Sequence, residues 1–346
     1  MRLEDGEEQH DFSAGHAPVL PQEVLQALSP RPNDVYVDLT AGRGGHAVRV
    51  AKVVGPSGRV VLFDLDQSNL AFAAGRVLEA TGVTTDSMHA SFASVARELN
   101  ALGLTADLVL ADLGFASTQV DDPARGLSFM RDGPLDMRLD ASSGMTAAEF
   151  VASASERELG EVIARFGEEP LARKIAAKIV AARAVAPIST TAQLADLVRE
   201  AYGSRARTSR LHPATKTFQA LRIAVNDELG ALSALLEAIS TAARRIAEGR
   251  PTWLRPGARV AIIGFHSLED RLVKQCFAEM CKSGLADEIT DGPVVSSESE
   301  SAENPRARSA KLRAVMVGRA RDANRDANRD SNRDSNRDSN RDVKTA

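Results

Sequence analysis

An acidic residue and a cluster of glycines meet in the segment VDLTAGRGGHA, residues 37–47. Three glycines in four positions follow an apolar run that ends in Asp38. A strand that leads through a glycine turn into a helix leaves backbone N–H groups free and lets a ligand approach the main chain closely. Two interpretations stay open from this pattern alone: a turn at Gly42 that binds a nucleotide cofactor, or a turn that is merely tight.

The letters GRGGHA also satisfy G-x-G-x-x-A, the fingerprint of dinucleotide-binding enzymes. Asp38 argues against a dinucleotide, because a pyrophosphate at the mouth of the turn would meet like-charge repulsion of roughly 1–4 kcal/mol at about 4 Å. S-adenosylmethionine carries an ammonium and a sulfonium group, which an acidic entrance favours. The structural alternative for Asp38 is a capping or turn aspartate.

Further polar residues are expected at the same edge of the fold. Asp64 ends the second apolar run and is placed to accept hydrogen bonds from ribose hydroxyls in either cofactor class. Asp112 ends a later run, VLADLG, and ligands of open α/β sheets bind at the carboxyl ends of the strands. His46 follows the glycines at a helix start, where a ligand contact and a purely structural role are both open.

The elements that position these residues alternate between strands and helices, as in a parallel sheet covered by helices. A loop rich in Asp, Gly, Pro and Ser follows from Gly114 to about Arg138 and is too long for an ordinary connection. A helical stretch then interrupts the alternation. Strands are predicted at 35–39, 59–65, 85–89, 106–113, 257–267 and 311–317, with helices near 46–54, 67–80 and 92–102.

We therefore predict one α/β domain in two pieces, with an all-helical insertion and a disordered tail. The pieces are residues 1–135 and 216–320, the insertion 136–215 and the tail 321–346. The tail repeats RDAN and RDSN without an apolar position, so it buries nothing that would offset the entropy of ordering.

Composition narrows the class of protein. The chain has 346 residues, is 43% hydrophobic and carries a formal net charge of -4, so attraction to a polyanion must come from local clusters. The N-terminal stretch MRLEDGEEQHDF is acidic and has no apolar core, and the sequence holds no uncharged apolar run of roughly 18 residues, which predicts a soluble cytoplasmic protein. Cys276 and Cys281 have no neighbouring Cys or His pair, so we expect thiols and no metal site.

Seven ordered blocks between His16 and Arg313 resemble the bacterial 16S rRNA (cytosine-N4)-methyltransferase family. They are HAPVL, VDLTAGRGGHA, DLGFASTQVDDPARGLSF, GPLDMR, HPATKTFQALRIAVNDEL, FHSLEDRLVK and NPRARSAKLR. The resemblance implies a class I, Rossmann-like, S-adenosylmethionine-dependent methyltransferase domain with an inserted helical substrate domain. It also implies that the product is N4-methylcytidine in the decoding region of the small-subunit RNA.

By this similarity, Gly44, Gly45 and His46 hold the methionine part of S-adenosylmethionine. Asp64 is expected to bind the ribose, and Asp38 and Gly42 are expected to support cofactor binding. The adenosine side would be contacted by Phe92, Asp112 and Gln119. The partner implied is 16S rRNA, within a 30S subunit or a late precursor. The chain departs from the family's usual blocks at Phe115, Ala116, Leu127 and Gly264.

The chemistry expected is methylation of a weakly nucleophilic amine, which carboxylate or carbonyl acceptors near its N–H groups assist. The catalytic candidates are Asp112, Ser117 and Asp136. Asp136 and Arg138 of GPLDMR have an alternative role as an ion pair that orders the loop. Ser267 and Asp270 have the spacing of a capping box, which leaves His266 as a candidate substrate contact.

Local clusters of positive charge favour binding to RNA. Residues 165–222 hold eleven Lys or Arg against four Asp or Glu, and residues 304–321 hold six basic residues and no acidic one. Ordinary solvated helix faces are the alternative for the first cluster. Aromatic residues make up only 4%, so recognition is expected to rest on RNA shape and phosphates, with one cytidine drawn out of its stack. A nicotinamide-dependent oxidoreductase and a non-catalytic rRNA-binding assembly protein remain the alternative functions.

Overall fold

The computed structural model describes residues 18–115, 117–207 and 212–318, without the side chains of residues 117, 118 and 207. His16, Ala116 and the predicted disordered tail at 321–346 lie outside the described residues.

In the described part of the chain, seven strands form one sheet: β1 Val35–Asp38, β2 Arg59–Asp64, β3 Thr85–His89, β4 Ala106–Asp112, β5 Leu254–Gly264, β6 Ala286–Glu288 and β7 Lys311–Val317. Their order across the sheet is β3-β2-β1-β4-β5-β7-β6. The first five strands pair in parallel, while β7 runs antiparallel to both β5 and β6.

Helices cover both faces of this sheet and form a separate group between β4 and β5. Those before the group are α1 Pro21–Leu28, α2 Gly45–Val54, α3 Gln67–Thr81, α4 Val95–Ala101 and α5 Ser117–Asp121. The group contains α6 Ala147–Ser153, α7 Glu156–Gly167, α8 Ala172–Arg183, α9 Thr191–Tyr202 and α10 Ala214–Asn226. After it come α11 Glu228–Ala247, α12 Ser267–Lys282 and α13 Glu298–Glu303.

Strand residues point alternately to the two faces of the sheet, and both faces are buried. Tyr36 packs in the core beneath α1, α2 and α3, whereas Val37 packs in the core beneath α4, α11 and α12. Burial on both sides explains why β1, β2 and β4 read as continuous apolar runs. All six predicted strands are present, including the polar and partly exposed β3.

The group α6–α10 has its own hydrophobic core, which includes Leu159, Ile175 and Leu194. The predicted α/β fold with a helical insertion is therefore confirmed. The predicted boundary between residues 215 and 216 falls inside α10, whose Phe218 belongs to the helical core. We propose instead that the insertion ends at Asp227, a left-handed residue at φ 48 between α10 and α11. The other domain boundaries remain predictions.

Local differences from the sequence prediction are small. Strand β6 was not predicted because its three residues carry no apolar alternation. The loop after β4 contains α5 and a 3-10 helix at Pro123–Arg125, and Phe92–Ser94 forms a 3-10 turn before α4. Cys276 and Cys281 are free thiols, both partly buried. No helix of the described ranges is long and apolar enough to cross a membrane.

Candidate cofactor and substrate site

Three carboxylates line one edge of the sheet. Asp38, Asp64 and Asp112 are the last residues of β1, β2 and β4, and β1 pairs with both of the other strands. Because the three strands are parallel, their carboxyl ends lie side by side. The predicted convergence of these residues is thus found in the structure.

The glycine turn links β1 to α2 across this edge. Gly42 and Gly44 have left-handed φ values of 48 and 75, which glycine adopts without strain. A Cβ on Gly44 would lie 3.1 Å from the Cα of Ala73 on α3, so the turn packs against that helix. Gly44 is also the N-cap of α2 and offers no side-chain oxygen to the first turn. The helix N-terminus is therefore open to a ligand.

Asp38 is only 2% exposed, yet it is not isolated. The hydroxyl of Tyr36 donates to its Oδ2 at 3.0 Å, and the N–H of Thr40 donates to Oδ1 at 3.2 Å. Burial dominates and raises the pKa of Asp38 to about 6, while nearby His46 and these two hydrogen bonds oppose the shift. A cationic ligand placed near Asp38 would favour its ionised form.

Asp64 supports the glycine turn directly. Its Oδ2 accepts from the N–H of Gly42 at 2.8 Å, and its Oδ1 accepts from the N–H of Asp66 at 2.8 Å. Burial raises the pKa of Asp64 to about 6, against the opposing effect of these amides. Its carboxylate is therefore fixed at the edge of the turn, where further lone pairs can accept hydroxyl groups.

His46 and Asp112 face one another beside this turn. Their Nε2 and Oδ2 atoms are 3.7 Å apart, which is close enough for an ion pair and too long for a hydrogen bond. His46 is 6% exposed. Neither ring nitrogen of His46, nor Oδ1 of Asp112, has a hydrogen-bond partner among the described residues. Buried polar atoms nearly always have partners, so these atoms indicate a ligand site.

The atoms without partners are of the right kind for S-adenosylmethionine. A ring nitrogen of His46 and the open α2 amides can donate to the carboxylate of an amino acid, and the buried carboxylate of Asp38 attracts its ammonium. The bare turn at Gly44 leaves room for the main chain to touch the ligand. The residues present therefore fit this cofactor.

Gln119 is joined to the site through Asp66. Gln119 is 7% exposed, and its Nε2 donates to Asp66 Oδ2 at 3.1 Å. The same carboxylate oxygen lies 3.2 Å from Nη1 of Arg125. Arg125 in turn donates through Nη2 to the carbonyl oxygens of Leu139, at 2.7 Å, and Arg138, at 3.2 Å. We call Asp66, Gln119 and Arg125 the loop clasp, because they tie the loop after β4 to the end of β2.

The sequence reasoning missed the loop clasp. Asp66 carries one signal, since it caps α3 by accepting from the N–H groups of Ser68 and Asn69. Its contacts with Gln119 and Arg125 span more than fifty residues and have no local signature. Phe92 lies at the carboxyl end of β3, where its partly buried side chain packs against the sheet core.

The two remaining catalytic candidates differ in what the structure describes. Asp136 is held by Arg138, whose Nε and Nη2 donate to its two carboxylate oxygens at 2.8 Å each. Burial acts to raise the pKa of Asp136, but these hydrogen bonds outweigh it and lower the pKa. The geometry matches the ion-pair alternative for this residue. Ser117 begins α5, and its side chain lies outside the described residues.

The predicted capping box of Ser267 and Asp270 is wrong. The N-cap of α12 is His266, whose Nδ1 accepts from the N–H of Glu269, while the Glu269 carboxylate accepts from the N–H of His266. The imidazole takes the place of the expected hydroxyl one residue earlier. Asp270 instead accepts from Nε of Arg313 at 2.7 Å. His266 thus caps α12 through Nδ1, and its role as a substrate contact remains a prediction.

A doubly wound sheet with one antiparallel strand, a glycine turn after β1 and acidic residues ending β1, β2 and β4 defines a class I S-adenosylmethionine-dependent methyltransferase. More narrowly, the chain belongs to the MraW methylase family, which it matches over residues 13–317.

Curated relatives are similar in sequence to this protein over most of the chain. The ribosomal RNA small subunit methyltransferase H of Symbiobacterium thermophilum is 44% identical over 317 residues, which cover 87% of this chain and 96% of that protein. The protein of the same name from Geobacter sulfurreducens is 44% identical over 315 residues, covering 86% of this chain and 97% of its own length.

Solved structures show a more distant likeness. A putative rRNA methylase from Clostridium thermocellum is 12% identical, with a TM-score of 0.36, over 87% of this chain and 98% of that one. NSun6 from Pyrococcus horikoshii with SFG is 14% identical, with a TM-score of 0.41, over 92% of this chain and 57% of that one. The class therefore rests on the strand order, the site and the family, not on these overlays.

Proposed function

We propose that this protein methylates the N4 amine of a cytidine in the decoding region of 16S rRNA, with S-adenosylmethionine as methyl donor. Its relatives are named as ribosomal RNA small subunit methyltransferases, which supports this RNA as the substrate. The seven sequence blocks support the cytosine N4 position. An rRNA substrate supports action in the cytoplasm, on a 30S subunit or a late precursor.

The observation that carries the proposal is the pairing of His46 with Asp112 next to buried Asp38. Two carboxylates beside the glycine turn favour a cationic ligand and disfavour a pyrophosphate. This arrangement, together with the methylase family, argues against a nicotinamide-dependent oxidoreductase.

Residues of the site divide between the parts of the cofactor. We assign the methionine part to Gly44, Gly45 and His46, with the negative charge of Asp38 and the turn at Gly42 in support. We assign the ribose hydroxyls to Asp64, whose oxygens are already oriented by two backbone amides. The adenosine side is assigned to Phe92, Asp112 and Gln119.

Chemistry at the substrate amine needs an acceptor and a fixed geometry. Bound S-adenosylmethionine supplies an electrophilic methyl group on a positively charged sulfur. Oδ1 of Asp112, which has no partner among the described residues, accepts an N–H of the cytidine amine and increases the electron density on nitrogen. Ser117 is the second acceptor proposed. Asp136 is the third candidate, although Arg138 holds both of its oxygens.

Many of the cations expected to contact RNA have partners within the protein. Lys178 and Arg199 of the first cluster form ion pairs with Glu200 and Asp196. In the second cluster, Arg313 and Lys311 both bind Asp270. Arg165, Arg173 and Lys174 are exposed on α7 and α8, which makes them the better candidates for phosphate contacts.

A methyl-transfer assay tests the proposal. Small subunits from a strain lacking the modification would be incubated with labelled S-adenosylmethionine and either wild-type protein or Asp112→Ala, followed by mass spectrometry of the nucleosides. We expect N4-methylcytidine with wild type only. Naked 16S rRNA and assembled subunits, compared in parallel, identify the substrate form. Binding of subunits without transfer by wild type would support the assembly-protein alternative instead.

A further inference from the structure

Three aromatic rings form a ladder from the helical core to the surface. Phe218 of α10 is 4% exposed and belongs to that core. The ring of Phe129, in the loop after β4, meets Phe218 edge-on with centroids 4.9 Å apart and planes at 71°. His212 then stacks on Phe129 with centroids 4.6 Å apart and planes at 26°. We call these three residues the aromatic ladder.

The outermost ring is exposed and held in place. His212 is an exposed residue, and its Nδ1 accepts a hydrogen bond from the N–H of Ala214 at 3.2 Å, at the start of α10. Stacking on Phe129 fixes one face, and this hydrogen bond fixes the rotation of the ring. In the neutral ring, Nε2 then carries the hydrogen and can donate. A rigid planar surface loses little entropy when a second planar group stacks on it.

The surroundings of the aromatic ladder fit a nucleotide. Met130, next to Phe129, is 81% exposed, and Arg131 beside it is exposed as well. Within the described ranges Arg131 forms no ion pair, unlike many cations of the helical insertion. An exposed flat ring, an apolar side chain and a free guanidinium are what a base and its phosphate require.

We propose that the aromatic ladder is a stacking platform for one unpaired nucleobase of the RNA substrate, with Arg131 contacting a phosphate next to it. The proposal rests on the RNA substrate proposed above and adds a base contact to recognition by shape and charge. A content of 4% aromatic residues does not argue against it, because a single fixed ring is sufficient.

Affinity measured at several salt concentrations tests the platform. Stacking is an uncharged contact, so its loss weakens binding by the same factor at every salt concentration, whereas loss of a phosphate contact flattens the salt dependence. Full-length wild type, His212→Ala, His212→Phe and Arg131→Gln would be titrated with naked 16S rRNA and with unmethylated small subunits. Val185→Ala, an 89% exposed position of the same insertion, is the control.

We expect His212→Ala to weaken binding about fivefold or more at all salt concentrations. His212→Phe should retain wild-type affinity, and Arg131→Gln should reduce the salt slope by about 0.7. Equal affinities of His212→Ala and wild type, in a protein that still methylates RNA, would overturn the platform alone. An effect on subunits but not on naked RNA would indicate a protein contact and overturn it too. A wild type that binds neither RNA would instead overturn the proposed function.

Discussion

Nε2 of His46 lies 3.7 Å from Oδ2 of Asp112, and both residues keep buried polar atoms without partners in the described part of the protein. The pair connects the first turn of α2 to the carboxyl end of β4. Thr40 reinforces this junction, because its Oγ1 accepts from the N–H of Asp112 at 2.7 Å and its own N–H donates to Asp38. Thr40 thus links the carboxylate of Asp38 to the main chain of Asp112.

Replacing Asp112 by Asn removes the charge while keeping the size of the side chain. A hydrogen bond to a charged group contributes about 1.5–3 kcal/mol, so we expect S-adenosylhomocysteine to bind roughly ten- to a hundredfold more weakly. Methyl transfer should fall further, because an amide oxygen is a weaker acceptor for the substrate amine than a carboxylate oxygen is. Calorimetry measures the first effect and turnover at saturating cofactor the second. Wild-type turnover by the variant would remove Asp112 from the proposed chemistry.

Removing the hydroxyl of Tyr36 should shift the pH dependence of cofactor binding. Tyr36 donates to Asp38 and so favours the ionised carboxylate; in Tyr36→Phe the pKa of Asp38 rises above about 6. Affinity for a cationic cofactor is present above that pKa and lost as pH falls through it. The loss should therefore begin at higher pH in the variant, although His46 and Asp112 face Asp38 unchanged. Calorimetry between pH 5 and 8 gives the comparison, and coincident profiles would contradict it.

How much of this site the sequence predicts depends on the range of the contacts. Asp38, Asp64 and Asp112 are predictable because each ends an apolar run, and parallel strands align their ends. Tyr36, which donates a hydrogen bond to Asp38, is not predictable as its partner, because a fully buried tyrosine looks like one more core residue of β1. The loop clasp is unpredictable for a different reason: its members meet only when the loop after β4 folds back over β2.

Among the helical elements, too, some features are predictable from the sequence and others are not. Periodicity predicts the insertion because α6–α10 bury one face each in a common core. The capping residues of α12 are mispredicted because hydroxyl and carboxylate side chains are the usual caps, whereas here the imidazole of His266 accepts the hydrogen bond. The end that we propose for the insertion, at Asp227, also lacks the usual local signal. Asp227 adopts a left-handed conformation that glycine or asparagine would have signalled.

Removing the charge of Asp38 should stabilise the protein in the absence of cofactor. Its folded pKa of about 6 exceeds the ordinary value of 3.8, so the folded state binds this proton more tightly than the unfolded state does. The ionised carboxylate thus destabilises the fold above pH 6, and the penalty disappears as pH falls toward 3.8. We expect Asp38→Asn to gain up to about 3 kcal/mol at pH 8 and much less at pH 4.

Thermal unfolding of Asp38→Asn at the two pH values provides the measurement. Asp64→Asn is an informative comparison, because both oxygens of Asp64 accept backbone N–H groups and an amide nitrogen would oppose one of them. That variant should therefore be less stable than Asp38→Asn. A lower melting temperature for Asp38→Asn at pH 8 would show that the carboxylate is needed for folding.

Two glycine-to-alanine substitutions distinguish the effect of backbone strain on stability from the effect of a blocked turn on cofactor binding. Gly44 and Gly82 have similar φ values of 75 and 70, so alanine at either should destabilise the protein by about 1 kcal/mol or more. Only at Gly44 would the new Cβ meet a neighbour, Ala73, and lie in the cofactor turn. We expect Gly44→Ala to lose binding of S-adenosylhomocysteine and Gly82→Ala to keep it. Equal affinities in calorimetry would contradict a role for the turn.

The loop clasp should control the order of the loop after β4. Arg125 contacts Asp66 through one guanidinium nitrogen and two carbonyl oxygens through the other, which a lysine ammonium at the same place cannot reproduce. Arg125→Lys should therefore lose protection from hydrogen exchange at residues 122–139, with strands β1 and β4 unaffected. Turnover with RNA should fall roughly tenfold, for a loss of about 1.5 kcal/mol.

Arg157→Lys is the matched control for this clasp, because Arg157 is 78% exposed and, among the described residues, forms an ion pair only with Glu161 on its own helix. That substitution should change neither hydrogen exchange nor turnover, since exposed pairs contribute little. If the clasp acts by positioning, Arg125→Lys should lower turnover at saturating cofactor more than it weakens binding of S-adenosylhomocysteine. Unchanged exchange at residues 122–139 in Arg125→Lys would mean that the loop is ordered by its own packing, with Gly126 and Gly133 pressed against Pro134 and Pro123.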